Sequence, residues 1–323
     1  MRAFAVDSIA VESTTDFDLY IAVEGMTVLF ASAPYRWGAG ELQRLRAAGH
    51  ASLLYRTEDA EKVLVYEKIR TLPVIEMGLP PRERLVQITS VASELTRVLW
   101  EHPISEGLVA QAKYVADQMV ATVTEDPTSV TALSKLAHHD YYTYFHSSRV
   151  AAYAIALAIQ MSARDPVQLR ELAYGCFLHD VGKNRVELSV LNKQGPLLPD
   201  EMDLLRRHPL FGFDQIKPAG VSTVGLEIIV HHHERLDAKG YPHGIGKNEL
   251  LDEVRIAAFA DVFDALTTNR PYQQSRTRFE ALDLIRFKLL DGLSTDVFKA
   301  MVELLDGDRN AIRPELAAPV KGG

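Results

Sequence analysis

Cysteine is nearly absent: Cys176 is the single one in 323 residues. One thiol excludes an intramolecular disulfide and a thiolate zinc cluster, so any metal site has to be built from His, Asp and Glu. Long apolar runs are missing as well. The longest, 150–159, falls far short of the ~20 residues that cross a bilayer, so no membrane partner is expected. Basic residues are in deficit, 35 Lys+Arg against 43 Asp+Glu, for a net charge of −8. That balance excludes a general binder of nucleic-acid polymers, which needs surplus cations to displace counterions. It allows a small anionic ligand held by a few local cations. The N-terminus carries Asp7 and Glu12 where a leader would be apolar, so no signal peptide is expected and the protein reads as cytoplasmic. Repeats and low-complexity tracts are absent too. What remains, 47% hydrophobic and 24% charged, is the composition of a soluble globular chain. At ~150 residues per domain, the length suggests about two domains.

The first 76 residues differ in texture from the rest. Patterning predicts strands over 18–23 and 26–31, joined by a turn at Glu24 and Gly25. A helix over 39–48 follows, with Leu42, Leu45 and Ala48 on one face, then a strand over 52–56. A second helix over 57–69 carries Glu58 and Asp59 in its first turn, where they suit the helix dipole. This β-β-α-β-α order reads as a small α+β module, sensory or partner-binding, with no catalytic cluster. Pro80 and Pro81 break the chain at 77–81. From there the signal is helical. Helices over 82–101 and 105–124 make a connection spanning 77–127, and their amphipathic length suggests a homodimer. A bundle over 128–323 follows, with helices predicted at 128–138, 143–163, 166–179, 199–207, 224–232, 250–266, 276–290 and 295–305. The stretches 182–199 and 234–247 read as loops.

Eleven histidines are present. Five of them, with two aspartates, fall at helix ends or on helix faces in the second half: His146, His179 with Asp180, His208, His232 with His233, then Asp261. His179 and Asp180 close an apolar helix, where the backbone unwinds and two side chains can diverge toward neighbouring ions. Asp261 sits inside RIAAFADVFDAL, where an unpartnered carboxylate would cost several kcal/mol to bury. Taken singly, His146 or His208 is better read as a hydrogen-bonded core residue. Asp261 alone could pair with Arg255 or Lys183. His50, His102, His138, His139, His231 and His243 read as surface or supporting residues. The ensemble is what points to metal, because five His and two Asp are an unusual set to bury for packing. Nitrogen and oxygen donors without sulfur suit Fe, Mn, Zn or Ni better than Ca or Mg.

HDVGK at 179–183, HHERLDAKGYP at 232–242 and DVFDALTTNRPY at 261–272 together resemble the HD-GYP domain, a subgroup of the HD metal-dependent phosphohydrolases associated with cyclic di-GMP. VLNKQGPL at 190–197 and His208-Pro209 fit the same pattern, and the resemblance covers about 137–305. It implies an all-α HD-type helical bundle, which follows the α+β N-terminal module read from patterning. It also implies a binuclear centre, with iron foremost and manganese, nickel or zinc as alternatives. His146, His179, Asp180 and Asp261 would hold one ion. Asp180 would bridge to a second, held by His208, His232 and His233. Asp180 and Lys183 would be catalytic. Lys183 would contact the scissile phosphate, with Tyr241 and Arg270 also binding substrate. The Gly240-Tyr241-Pro242 loop would rim the cleft and dock diguanylate cyclase (GGDEF) domains.

The implied reaction is hydrolysis of cyclic di-GMP to linear pGpG, and onward to GMP, by a bridging hydroxide. A paired-metal site clamps both attacking and leaving oxygens, and cationic charge at the phosphate is its main requirement. Two departures stand out. Ala238 follows Asp237 where the family has Gly, a strained choice if the position needs positive φ. Tyr141 and Tyr142 occupy the turn where some members carry a Glu for a third metal, which favours two ions here. The alternatives are a weakly active or inactive signalling scaffold, and hydrolysis of another cyclic dinucleotide or a mononucleotide.

Overall fold

Short alternating segments at the N-terminus pair into two antiparallel sheets. The computed structural model describes residues 1–23, 25–70, 72, 78–136, 142–163, 165–193, 195–269 and 275–312. The strands are β1 (Arg2–Ala5), β2 (Thr14–Thr15), β3 (Leu19–Val23), β4 (Met26–Ala31), β5 (Tyr35–Arg36) and β6 (Ser52–Tyr55). Four of them form a sheet in the order β1-β6-β3-β4, and β2 pairs with β5. Helices α1 (Ala39–Ala47) and α2 (Ala60–Arg70) complete the region. Phe4, Phe17 and Tyr66 meet edge to face at centroid distances of 5.4 to 5.9 Å beneath the sheet. The sequence reading omitted β1, β2 and β5. Two of these are two-residue pairs too short to show alternation, and β1 finds its partner, β6, fifty residues away. The helix expected over 57–69 opens as a 3₁₀ turn, Thr57–Asp59, before α2.

Two long helices follow, α3 (Pro81–Glu101) and α4 (Glu106–Glu125). Pro81 stands in the first turn of α3, where its missing N–H costs nothing, and Ser105 caps α4 by accepting from Leu108 N at 3.1 Å. Their apolar faces bury Leu85, Ile88, Leu95, Leu108, Val115 and Met119 completely or nearly so. Each such side chain contributes about 1.5–3 kcal/mol. They pack on α5 (Tyr142–Gln160) and α6 (Pro166–Leu178). From Val150 to Ala158 helix α5 is buried all round, with Ala151, Ala152, Ala154, Ala156 and Ala158 letting neighbours approach closely on every side.

The remaining helices are α7 (Leu188–Leu191), α8 (Pro199–Leu205), α9 (His208–Ile216), α10 (Thr223–His231), α11 (Asp252–Thr267), α12 (Arg278–Leu284) and α13 (Thr295–Ile312). One core runs from Val65 and Ile69 of α2 to Met301 and Leu304 of α13, while Val63 and Tyr66 of the same helix pack beneath the N-terminal sheet, so α2 joins the two cores.

Several boundaries differ from expectation. The segment predicted as a helix over 128–138 is 3₁₀ over Pro127–Leu136, and His138 and His139 lie outside the described residues. The stretch read as a loop at 182–199 holds a 3₁₀ turn and α7. The helix expected over 276–290 gives way after Leu284 to a π turn, Ile285–Leu289. The turn residue Glu24 and most of the 77–81 break's approach (73–77) are outside the described residues. No described helix is long and apolar enough to cross a membrane.

Candidate metal centre

Five helices of the body aim polar side chains at one point. His146 comes from the first half of α5, and His179 and Asp180 from the end of α6. His208 opens α9, His232 and His233 follow α10, and Asp261 sits mid-way along α11. The turn after Asp180 can reach α9 only because residue 182 is glycine. A Cβ there would lie 2.0 Å from the His208 carbonyl and 2.3 Å from Gly212 N. That close approach is what sets Asp180 against His208.

Asp180 is the hub. Its Oδ1 lies 3.3 Å from His208 Nε2 and 3.8 Å from His232 Nε2. Its Oδ2 lies 3.4 Å from His179 Nε2 and 3.7 Å from His146 Nε2. The carboxylate therefore divides the imidazoles between its two oxygens. Ligand atoms of Asp180, His208, His232 and His233 all fall within 4.8 Å of one another, and so do those of His146, His179 and Asp180. Asp261 closes the ring, with Oδ1 3.0 Å from His146 Nε2 and Oδ2 3.6 Å from His233 Nδ1.

Backbone carbonyls hold the backs of three of the rings. His179 Nδ1 donates to the Cys176 carbonyl at 2.7 Å, His208 Nδ1 to Leu205 at 2.8 Å, and His232 Nδ1 to Ile229 at 3.0 Å. A carbonyl has no proton to give, so the ring nitrogen facing it carries one and Nε2 is left with its lone pair inward. His208 Nε2 and His232 Nε2 then face each other at 3.2 Å, two acceptors with nothing between them. His179 Nε2 and Asp180 Oδ1 are buried without a hydrogen-bond partner among the described residues. Orphaned acceptors are costly unless a cation takes them, so this donor set fits transition-metal ions.

Charge follows the same arrangement. Burial opposes ionisation of Asp180, but His179 and Lys183 hold it well below the usual carboxylate range. Asp261 is likewise held low against burial by His146 and His233. Burial pushes His232 well below the ordinary imidazole value and His233 down to about 3, while His208 is also lowered. For His179 burial is outweighed by the Asp180 charge, and its value is raised. Asp261 has neither alternative partner considered from sequence. Arg255 bonds Asp252 at 2.7 Å, and Lys183 bonds Asp180.

A cleft of about 430 Å³ opens on the cluster, with His146, Asp180, Lys183, His208, His233 and Tyr241 in its wall. Lys183 Nζ sits 2.5 Å from Asp180 Oδ2, with its side chain a fifth exposed to the cleft. Tyr241 lies over His233, ring centroids 4.7 Å apart, and its hydroxyl is kept protonated first by burial, then by Asp261 and Asp180. Arg270 and Tyr141 lie outside the described residues.

The loop that carries Tyr241 is anchored by Glu234, which is buried and accepts from His243 N at 2.6 Å and Gly244 N at 3.0 Å. Ala238 adopts φ +58°, the left-handed conformation that glycine takes without strain.

Three neighbours were not singled out from sequence. Asp264 accepts from His146 Nδ1 at 2.7 Å, and Arg149 grips the same carboxylate at 2.6 and 3.1 Å. The readable signal was spacing: His146 and Arg149, and Asp261 and Asp264, each stand three residues apart on otherwise apolar helices. Trp100, from α3, also lines the cleft and carried no signal at all.

Residues 131–291 match the family model described as HD domain. The chain is 38% identical over 174 residues to a cyclic di-GMP phosphodiesterase of Pseudomonas aeruginosa, covering 54% of this chain and 42% of that protein. It is 33% identical over 217 residues to the cyclic di-GMP phosphodiesterase response regulator RpfG of Xanthomonas campestris, covering 63% of this chain and 57% of that one. The chain thus spans about half the length of the curated relatives it matches. An HDG"Y"P protein of Bdellovibrio bacteriovorus has the same fold, with a TM-score of 0.65 at 18% identity over 95% of this chain and 99% of that one.

Proposed function

Since the chain belongs to the HD-GYP family of HD-domain proteins, we propose that it hydrolyses cyclic di-GMP to linear pGpG, and onward to GMP. The observation that carries this reading is the division of the imidazoles between the two oxygens of Asp180. In it, His146, His179, Asp180 and Asp261 hold one transition-metal ion and His208, His232 and His233 the other, with iron foremost and Mn, Ni or Zn as alternatives. Two such ions would supply Lewis acidity and an activated water for in-line displacement at phosphorus.

The chain's own contribution is binding and orientation. Lys183 presents a cation on the cleft side of Asp180, where a phosphodiester oxygen can share it. Tyr241 offers a ring face to a base and a protonated hydroxyl as donor. Arg270 would hold phosphate or guanine from the opposite wall. On this reading residues 1–76 are a sensory or partner-binding module, 77–127 a connection and 128–323 the catalytic domain of a cytoplasmic homodimer. The Gly240-Tyr241-Pro242 loop would be a docking edge for GGDEF domains.

The test is to load the protein with Fe(II), Mn(II) or Ni(II), confirm occupancy, and resolve the products from cyclic di-GMP by chromatography. Appearance of pGpG is expected. No turnover of any cyclic dinucleotide at full occupancy would remove the reading. One observation favours an inactive scaffold instead: Lys183 is engaged by Asp180 rather than free. In that case Lys183→Ala leaves both fold and partner binding untouched.

A further inference from the structure

The metal cleft has two chemically different halves. One carries the ligand side chains and Lys183, where a phosphate belongs. The other is apolar, walled by Val190, Leu191, Leu197, Met202 and Leu205, and it includes the ring of Trp100. Trp100 comes from the last turn of α3, ahead of the HD-domain match, which begins at 131. Its neighbours Val98 and Leu99 are buried and fix the helix face, whereas Trp100 is only half-buried and lines the cleft. The indole meets Tyr144 edge to face, with ring centroids 5.7 Å apart. Tyr144 stands on α5 two residues before His146.

Among the described residues, the cleft wall thus holds two large aromatic side chains, Trp100 and Tyr241. They belong to different ends of the cluster. Tyr241 lies over His233, which groups with Asp180, His208 and His232. Trp100 packs beside the turn of α5 that supplies His146, which groups with His179 and Asp180. Lys193, on the apolar side, is committed to Glu201 at 2.6 Å. What that side offers a ligand is therefore surface for a flat apolar group.

Every nucleobase has a π-face and stacks on an aromatic side chain. A mononucleotide has one base and can occupy one ring. A cyclic dinucleotide has two, and can occupy both while a phosphate stays at the ligand cluster. We propose that Trp100 is the stacking platform for the second base of a cyclic dinucleotide, with Tyr241 taking the first. The ring thereby favours two-base ligands over mononucleotides. This assignment rests on the metal cleft being the cyclic-dinucleotide site.

The test is binding, so that turnover does not enter it. Ni(II)-loaded protein of confirmed occupancy is titrated by calorimetry with the bis-phosphorothioate analogue of cyclic di-GMP, and separately with GMP. Trp100→Leu keeps an apolar side chain but removes the ring, and should weaken the dinucleotide about 10-fold or more. Trp100→Phe should recover most of that loss, and GMP should be little affected by either change. Fluorescence gives a second readout. Trp37, the other tryptophan of the chain, is fully buried in the N-terminal region, so quenching on binding reports Trp100. The proposal is overturned if Trp100→Leu binds the dinucleotide as the wild type does, if Trp100→Phe loses as much as Trp100→Leu, or if GMP loses equally. Should a variant shed metal through Tyr144 and His146, the wild-type fluorescence decides, and unquenched emission overturns the proposal. Cleavage of cyclic di-GMP with unaltered binding in Trp100→Leu removes the platform and leaves the hydrolytic reading standing. Binding that depends on Trp100 without any turnover does the reverse.

Discussion

Asp264 grips the back of His146: its Oδ2 lies 2.7 Å from Nδ1, while the ring's other nitrogen faces Asp261 Oδ1 at 3.0 Å. The imidazole is thus fixed between two carboxylates, one outside the cluster and one in it. Burial opposes the charge on Asp264, but Arg149 and His146 pull it down to about 2, so it is an anion at neutral pH. An anion behind the ring fixes the tautomer and makes Nε2 a better donor to metal.

Asp264→Asn should therefore weaken metal binding at the His146 side about 10- to 100-fold, read as metal per chain by elemental analysis after equilibration with a buffered metal series. The folded fraction must be isolated first, because the change also removes half of a buried ion pair with Arg149 and destabilises by about 3–5 kcal/mol. Unaltered metal stoichiometry across the series would show that Asp264 serves packing alone.

Lys183 separates an enzyme from a scaffold. It is no imidazole or carboxylate, so Lys183→Ala should leave metal content intact. If the amine shares its charge with a phosphate oxygen in the transition state, kcat should fall about 100-fold or more with KM moving little. An unchanged kcat would confine Lys183 to holding Asp180.

At position 238 an alanine stands in the left-handed region at φ +58°. That conformation costs an L-residue about 1–2 kcal/mol, and glycine escapes it at the expense of about 0.4–1 kcal/mol of extra freedom in the unfolded chain. Ala238→Gly should therefore stabilise by about 0.5–1 kcal/mol, seen as a Tm rise of about 1–3 °C. A fall in Tm would mean that the loop does not hold this conformation.

How much of this was readable in advance depends on where the information sits in the chain. His179-Asp180 and His232-His233 are adjacent pairs at helix ends, and local patterning marks them. Ala238 was legible for the same reason, as a departure within a contiguous motif. Asp264 was not, because an acid three residues after another on one helix face looks like a solvated pair until the fold buries it against α5. Trp100 was invisible because it reaches the cleft from a helix read only as a connection. β1 was missed because a four-residue strand is defined by its partner, and that partner, β6, is distant in sequence. Local chemistry was legible, whereas contacts made across long separations were not.

The cluster should also make the metal-free protein sensitive to acid. His208, His232 and His233 have values lowered by burial, His233 to about 3, whereas in the unfolded chain each titrates near 6.5. Between those limits the unfolded state binds more protons than the native state, so stability must fall as pH falls. His233 adds a slope of about 1.4 kcal/mol per pH unit across that interval, and His208 and His232 add to it in the same direction. His179 does not cancel this. Its value is raised, so its contribution is complete below 6.5 and changes only at higher pH. Asp180 and Asp261, held low, extend the loss below the ordinary carboxylate value as they are forced to protonate. Denaturant midpoints in chelator at pH 7.5, 6.5, 5.5 and 4.5 should stay nearly level down to 6.5 and then drop steeply. In His233→Asn the drop should be shallower by about one proton's worth of slope. A midpoint that holds constant from pH 6.5 to 4.5 would mean these imidazoles are already protonated in the native state, and the inward lone pairs on which the metal reading depends would not exist.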